Sequence, residues 1–272
     1  MSESSIHRWH QGELHLLDYR DLTDPSIVAA DSWLVTDGST LALDLHRQRF
    51  FDAAGALIDD LDRFWSASIA AIPRTGNWFP RVEVQLRGGT ALAVFRLRAA
   101  PALSRSVRLA SHRDADPRTS PRTKGPDTAA LLRIRTEAKA AGADEAVIIS
   151  PHGFVVEGAY SAILWWRGDA LCAPSLDLER VPSVTARSVI ALATALGIEV
   201  FYESIVPAEL ESCEIWALSA LHGIRIVTAW VDGPAPAELP GRLATWRSRL
   251  DRLRQPLPQR REDSGEKIVG RS

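Results

Sequence analysis

With 272 residues and 46% hydrophobic content, the chain is long enough to bury a large core, as one big domain or two of ordinary size. A net charge of -2 argues against nucleic acid as the main partner, because phosphate binding needs a basic excess. Cys172 and Cys213 have neither metal spacing nor a disulfide framework, and His7, His10 and His15 form no metal-binding frame, so no metal is expected.

Short strand-like pieces open the chain at Ile6–Trp9 and Glu13–Leu16. A hairpin pattern follows: Asp31–Val35, a turn at Asp37-Gly38-Ser39, then Thr40–Asp44. Helix patterns begin at Leu45–Ala54 and cover Leu61–Ile72, stopping at Pro73. Arg81–Arg87 and Ala91–Arg98 are strands flanking a Gly88-Gly89 turn. Hairpin-joined strands predict an antiparallel sheet with helices packed on it.

From about Ala110 to Pro126 the chain is polar and proline-bearing, as in an interdomain linker. Lys124 ends it, ahead of a helix Thr128–Ala141 that Asp127 can cap. Beyond lie two hairpins: Ala146–Ser150 with Phe154–Ala159, and Ala162–Arg167 with Ala170–Ala173. Then come a helix Val184–Leu196, strands at Glu199–Ile205, Glu214–Leu221 and Ile224–Val231, and helical periodicity over Ala235–Arg254. Trp165-Trp166 reads as a strand covered on both faces, as core plus dimer interface. The charged stretch from about Gln255 is expected to fray. The fold class expected is α+β, with antiparallel or mixed sheets and packed helices: a smaller N-terminal domain over 1–112, a linker over 113–126, a larger domain over 127–254 and a disordered tail over 255–272. The N-terminus Met-Ser-Glu-Ser-Ser-Ile-His has no apolar h-region and no apolar run reaches about 18 residues, which predicts a cytoplasmic protein away from membranes.

Charge chemistry singles out one residue. The sequence holds 29 arginines but three lysines, Lys124, Lys139 and Lys267. A primary amine condenses with an aldehyde, which a guanidinium cannot do. Glu157, at the end of a Phe154–Glu157 strand, can hold a carboxylate in the cleft. Pro182-Ser-Val-Thr185 opens a helix, so the N–H groups of Val184 and Thr185, with the Thr185 hydroxyl, can bind phosphate. Arg49, one turn from His46, can add fixed positive charge. Ser219 and Ala220, at a strand end, can add a hydroxyl and an N–H. Together these are the parts of a pyridoxal phosphate (PLP) site.

The assembly resembles the class IV aminotransferases, the fold-type-IV PLP enzymes. The matching segments are His46-x-x-Arg49-Phe50, Arg118-x-x-Pro121-x-x-Lys124, Gly142-Ala-Asp-Glu145, Gly153-x-Val-x-Glu157-Gly158, Val181-Pro-x-Val-Thr185 and Ser219-Ala-Leu-His-Gly223. The resemblance implies two domains, Lys124 as the Schiff-base lysine, Glu157 as the pyridine-nitrogen partner, and Arg49, Val184 and Thr185 as phosphate ligands. It also implies a homodimer acting on an amino acid and a keto acid. Ser32 and His222 are candidates for substrate contact, and His46 reads as structural. The chain departs from the family where it has Ala162 for Asn, and Ser183 and Ala186 for Gly and Arg. Two other readings stay open: a 4-amino-4-deoxychorismate lyase, whose Ser-Ala-Leu segment is closer, and a PLP-fold binding protein without catalysis.

Overall fold

The computed structural model describes residues 4–17 and 26–259. Strands β1 (Ser5–His10), β2 (Glu13–Leu16), β3 (Ser26–Ser32), β7 (Arg81–Arg87) and β8 (Thr90–Leu97) form an antiparallel sheet in the order β2-β1-β8-β7-β3. Period-2 alternation sends Val82 and Val84 to one face. There they join Phe95, Trp33, Phe50, Phe64 and Trp65 in an aromatic core. Helices α1 (Leu43–Ala54) and α2 (Leu61–Ala71) supply the last three of these. The opposite face carries Arg81, Glu83 and Gln85, with Arg96 opposite Arg81.

A second sheet has eight strands. They are β9 (Ser106–Ser111), β10 (Glu145–Ile149), β11 (Val155–Gly158), β12 (Ala162–Arg167), β13 (Ala170–Pro174), β14 (Val200–Glu203), β15 (Glu214–Ser219) and β16 (Gly223–Val231). Their order is β11-β10-β9-β16-β15-β12-β13-β14, and β9 pairs parallel with both neighbours. Trp166, Trp216 and Leu218 pack on one face against α4 (Val184–Ala195) and α5 (Arg242–Asp251), through Val189, Trp246 and Leu250. On the other face Trp165 packs with Ile163, Ile215 and Val227. Helix α3 (Thr128–Ala140) lays Ile134 and Ala138 on Ala146 and Ile148. Truncating any one of the buried tryptophans to Ala would cost about 3–5 kcal/mol.

The structure corrects several expectations. The strand read as Asp31–Val35 is broken. Its first half ends β3, while Val35–Thr36 (β4) joins β5 (Ser39–Leu41) and β6 (Asn77–Trp78) in a separate small sheet. Thr40–Asp44 is not one strand either, because Ala42 turns with φ 47° into α1. Trp165 and Trp166 are both buried inside one chain, so neither is left for a dimer interface. β9, assigned by sequence to the first domain, lies in the middle of the eight-stranded sheet, so the chain changes sheets between Leu97 and Ser106. Ala235–Arg254 is helical only over Arg242–Asp251. The described start of the tail is ordered, since Arg254–Pro256 (β17) pairs with β5 and Leu257 is buried in the first core, while residues 260–272 of the expected tail lie outside the described residues.

Candidate active site

Lys124 is fixed by its backbone before its side chain does anything. Its carbonyl accepts a hydrogen bond from Ala30 N–H at 2.7 Å, tying the 113–126 segment to the end of β3. Gly125 follows at φ 130°, a region that disfavours any residue with a Cβ. Asp127 does not cap α3 as expected. Its carboxylate accepts bonds from Thr119 N–H, Thr119 Oγ1 and Ser120 N–H, at 2.9–3.0 Å, and so folds the loop that carries Lys124. The segment read as a polar linker is therefore a braced loop.

The Lys124 side chain keeps some accessible surface, yet protein surrounds its amine closely. Burial, aided by the charge of Arg49 and opposed by Asp31, lowers the amine to about 8.

Asp31 is the residue that sequence reasoning missed. It is fully buried at the end of β3. One carboxylate oxygen accepts from His46 Nδ1 at 2.8 Å, and the pair of oxygens accepts from Arg49 Nε and Nη2, both at 2.8 Å. Burial alone would raise the Asp31 carboxyl, but Arg49 and His46 override it and hold it well below the usual carboxylate range. Since a carboxylate only accepts, His46 carries its proton on Nδ1. Burial lowers the pKa of His46, against the pull of Asp31. Arg49 also donates from Nη1 to Pro182 carbonyl at 3.0 Å, reaching the residue just ahead of α4. Its guanidinium thus joins β3 to the start of α4.

At that start Ser183 caps α4 by accepting from Ala186 N–H at 3.3 Å. The N–H groups of Val184 and Thr185 have no intrahelical acceptor, as at any helix start, and stay available to an anion. Thr185, Ser219, Ala220, His46 and His222 line one cavity of about 440 Å³. Ser219 Oγ also accepts from His222 N–H at 3.2 Å, which shapes the β15–β16 turn.

Glu157 ends β11 and is 6% exposed. Arg118 Nη1 donates to its Oε1, and Val181 N–H donates to the same oxygen at 3.4 Å. Burial raises the Glu157 carboxyl to about 7, against the opposing charge of Arg118. Arg118 is itself fixed by Asp116, through Nε at 2.9 Å and Nη2 at 2.7 Å.

The structure therefore brings Lys124, Asp31, Arg49 and Glu157 into one electrostatic neighbourhood, with Thr185, Ser219 and Ala220 on the cavity beside it. Ser32, the other residue proposed for substrate contact, is 3% exposed, and its Oγ has no partner among the described residues. A match to the family described as "Amino-transferase class IV" spans residues 29–230. The chain belongs to the class IV aminotransferase family.

Solved structures with this family's fold overlay most of the chain. A branched-chain aminotransferase from Thermoproteus uzoniensis has a TM-score of 0.78 at 20% identity, covering 93% of this chain and 100% of that one. A fold IV-transaminase from Curtobacterium pusillum has a TM-score of 0.76 at 19% identity, covering 91% and 99%. A putative 4-amino-4-deoxychorismate lyase from Legionella pneumophila has a TM-score of 0.70 at 15% identity, covering 82% and 90%. At such identities these likenesses establish the fold. No curated protein matches the chain. Among the described residues no helix is long and apolar enough to cross a membrane, and no three metal-ligating side chains converge.

Proposed function

We propose that this class IV aminotransferase uses PLP to move an amino group between an amino acid and a keto acid, with Lys124 as its catalytic residue. The observation that carries this reading is the Lys124 amine, lowered to about 8 beside Asp31, Arg49 and Glu157. An amine with that pKa is partly neutral at physiological pH, so it can attack an aldehyde and can take up a proton.

The residues present fit the cofactor. The free N–H groups of Val184 and Thr185 suit its phosphate, as do Ser219 and Ala220 on the cavity wall. Arg49 adds charge and keeps the α4 start in register with β3. Glu157, poised near neutrality and aimed by Arg118, suits a ring nitrogen that must stay protonated. Bound there, PLP supplies an electron sink for negative charge at the substrate Cα. Lys124 would take the proton from the substrate Cα and hold it on Nζ for return. A homodimer and a cytoplasmic location belong to the same proposal.

The test follows the amino group. Purified protein with PLP should transfer it from an amino acid to an added keto acid, and Lys124→Ala should not. Release of pyruvate from aminodeoxychorismate with no keto acid present would support the lyase reading instead. Retained transfer by Lys124→Ala would overturn the mechanism.

A further inference from the structure

The cavity has chemically distinct ends. His46, 2% exposed, marks the inner end, and its ring feels the charge of Lys124. Leu103, 49% exposed, marks the mouth. The walls between are largely apolar, with Leu34, Leu41, Leu221 and Leu250 among them. Polar and charged residues share the lining, among them Asn77, His222, Arg247, Asp251 and Arg254.

The charged ones are already committed. Arg247 Nη1 donates to the carbonyls of His222 (3.0 Å) and Ile224. Arg254 is held by Asp251 through Nε at 3.3 Å and reaches Leu34 carbonyl at 3.5 Å. His222 differs. Its Nδ1 accepts from Ser104 N–H at 3.2 Å, and a backbone amide can only donate, so the ring proton is on Nε2. No partner exists for that N–H among the described residues. Ser219 Oγ and Arg247 Nη1 hold the backbone of His222, and the Ser104 amide sets the orientation of its ring. Burial, with Arg225, Arg135 and Arg247 nearby, lowers the ring to about 4, so the N–H stays a neutral donor at working pH.

We infer that His222 is a specificity-determining residue whose Nε2–H binds an acceptor oxygen at the far end of the substrate side chain, beyond an apolar stem. The inference rests on the proposed function in taking this cavity as the substrate's path to Lys124, which does not itself line it and is linked to it through His46. Arg247 lines the cavity and acts on the ring, and with the Asp251 carboxylate on the same wall offset by Arg254 it favours a carboxylate or amide oxygen over an apolar tip. His222 is half-buried, and an apolar substrate that covers its donor and shuts out water without matching it loses binding.

The experiment compares glutamate and glutamine with norleucine, in whichever enantiomer the wild type accepts, for wild type, His222→Leu and His222→Gln. Gln keeps an N–H near the Nε2 position and Leu has none. The expected result is a rise in KM of about tenfold for glutamate and glutamine in His222→Leu, with kcat and the norleucine KM nearly unchanged. His222→Gln should stay within about threefold of wild type. PLP affinity, read from cofactor absorbance in all three proteins, separates this from failure of the cofactor reading: loss of PLP binding in the wild type would sink the latter first. Equal losses for all substrates in His222→Leu, or a wild type that prefers norleucine, would overturn the inference.

Discussion

The carbonyl of Lys124 and the amide of Ala30 are joined at 2.7 Å, so the reactive lysine is anchored to the end of a strand 94 positions earlier in the chain. Gly125 makes that approach possible. A Cβ there would lie 2.8 Å from Ala30 N and 2.9 Å from Ala29 C, both backbone atoms that cannot yield locally. Gly125→Ala should therefore destabilise the protein by roughly 2–4 kcal/mol, from backbone strain plus the lost contact. For a chain of this size that is a fall in Tm on the order of 5–10 °C. Calorimetry showing an unchanged Tm, with PLP binding intact, would mean the strand anchor is dispensable.

Asp31 is the buried counter-charge of the site, and its removal should be costly. Asp31→Ala would leave Arg49 without its partner, a loss of about 3–5 kcal/mol. Because the folded carboxyl lies below its unfolded value, its contribution is present above about pH 4 and is lost as pH falls. Wild-type stability should drop on acidification below pH 4, and Asp31→Asn, already destabilised at pH 7, should show a shallower acid limb in denaturant titrations.

Glu157 has the opposite sign. Its folded pKa of about 7 lies above the unfolded value, so the fold favours its protonated form. Between roughly pH 4.5 and 7 the unfolded state gives up that proton first, and stability declines with rising pH. Apo Glu157→Gln should match wild type at pH 5 and exceed it by roughly 2 kcal/mol at pH 8. The same variant should lose most transferase activity, since an amide cannot keep a ring nitrogen protonated. Identical pH–stability curves for the two proteins would contradict this account of Glu157.

How much of this was legible beforehand depends on the range of the forces involved. Lys124, Glu157 and Thr185 stood out because local signals mark them: a rare amine before a helix, a carboxylate ending a strand, a hydroxyl at a helix start. Asp31 did not, because its partners His46 and Arg49 lie 15 and 18 residues away and no periodicity links them. The break after Ser32 was hidden for a similar reason. Trp33, Leu34 and Val35 all suit a strand, and it is the packing of Trp33 against Trp65 and His46 that accompanies the move from one sheet to another. The strand after α5 was missed because Arg254–Pro256 gains its order from pairing with β5, more than two hundred residues back, and composition alone made it look loose.

The Lys124 amine should also announce itself without any cofactor. With a pKa near 8 about a tenth of it is neutral at pH 7, against well under a hundredth for an ordinary lysine. Brief treatment with an acylating reagent at pH 7 should modify Lys124 ahead of Lys139, which is exposed on α3. Faster labelling of Lys139 would mean that burial shuts Lys124 away and does not activate it.

The most direct test is to add PLP, reduce with borohydride and map the modified peptide by mass spectrometry. The account predicts a single phosphopyridoxyl group on Lys124, and none after Lys124→Arg substitution. Label on Lys139 or Lys267, or no label in excess PLP, would contradict it.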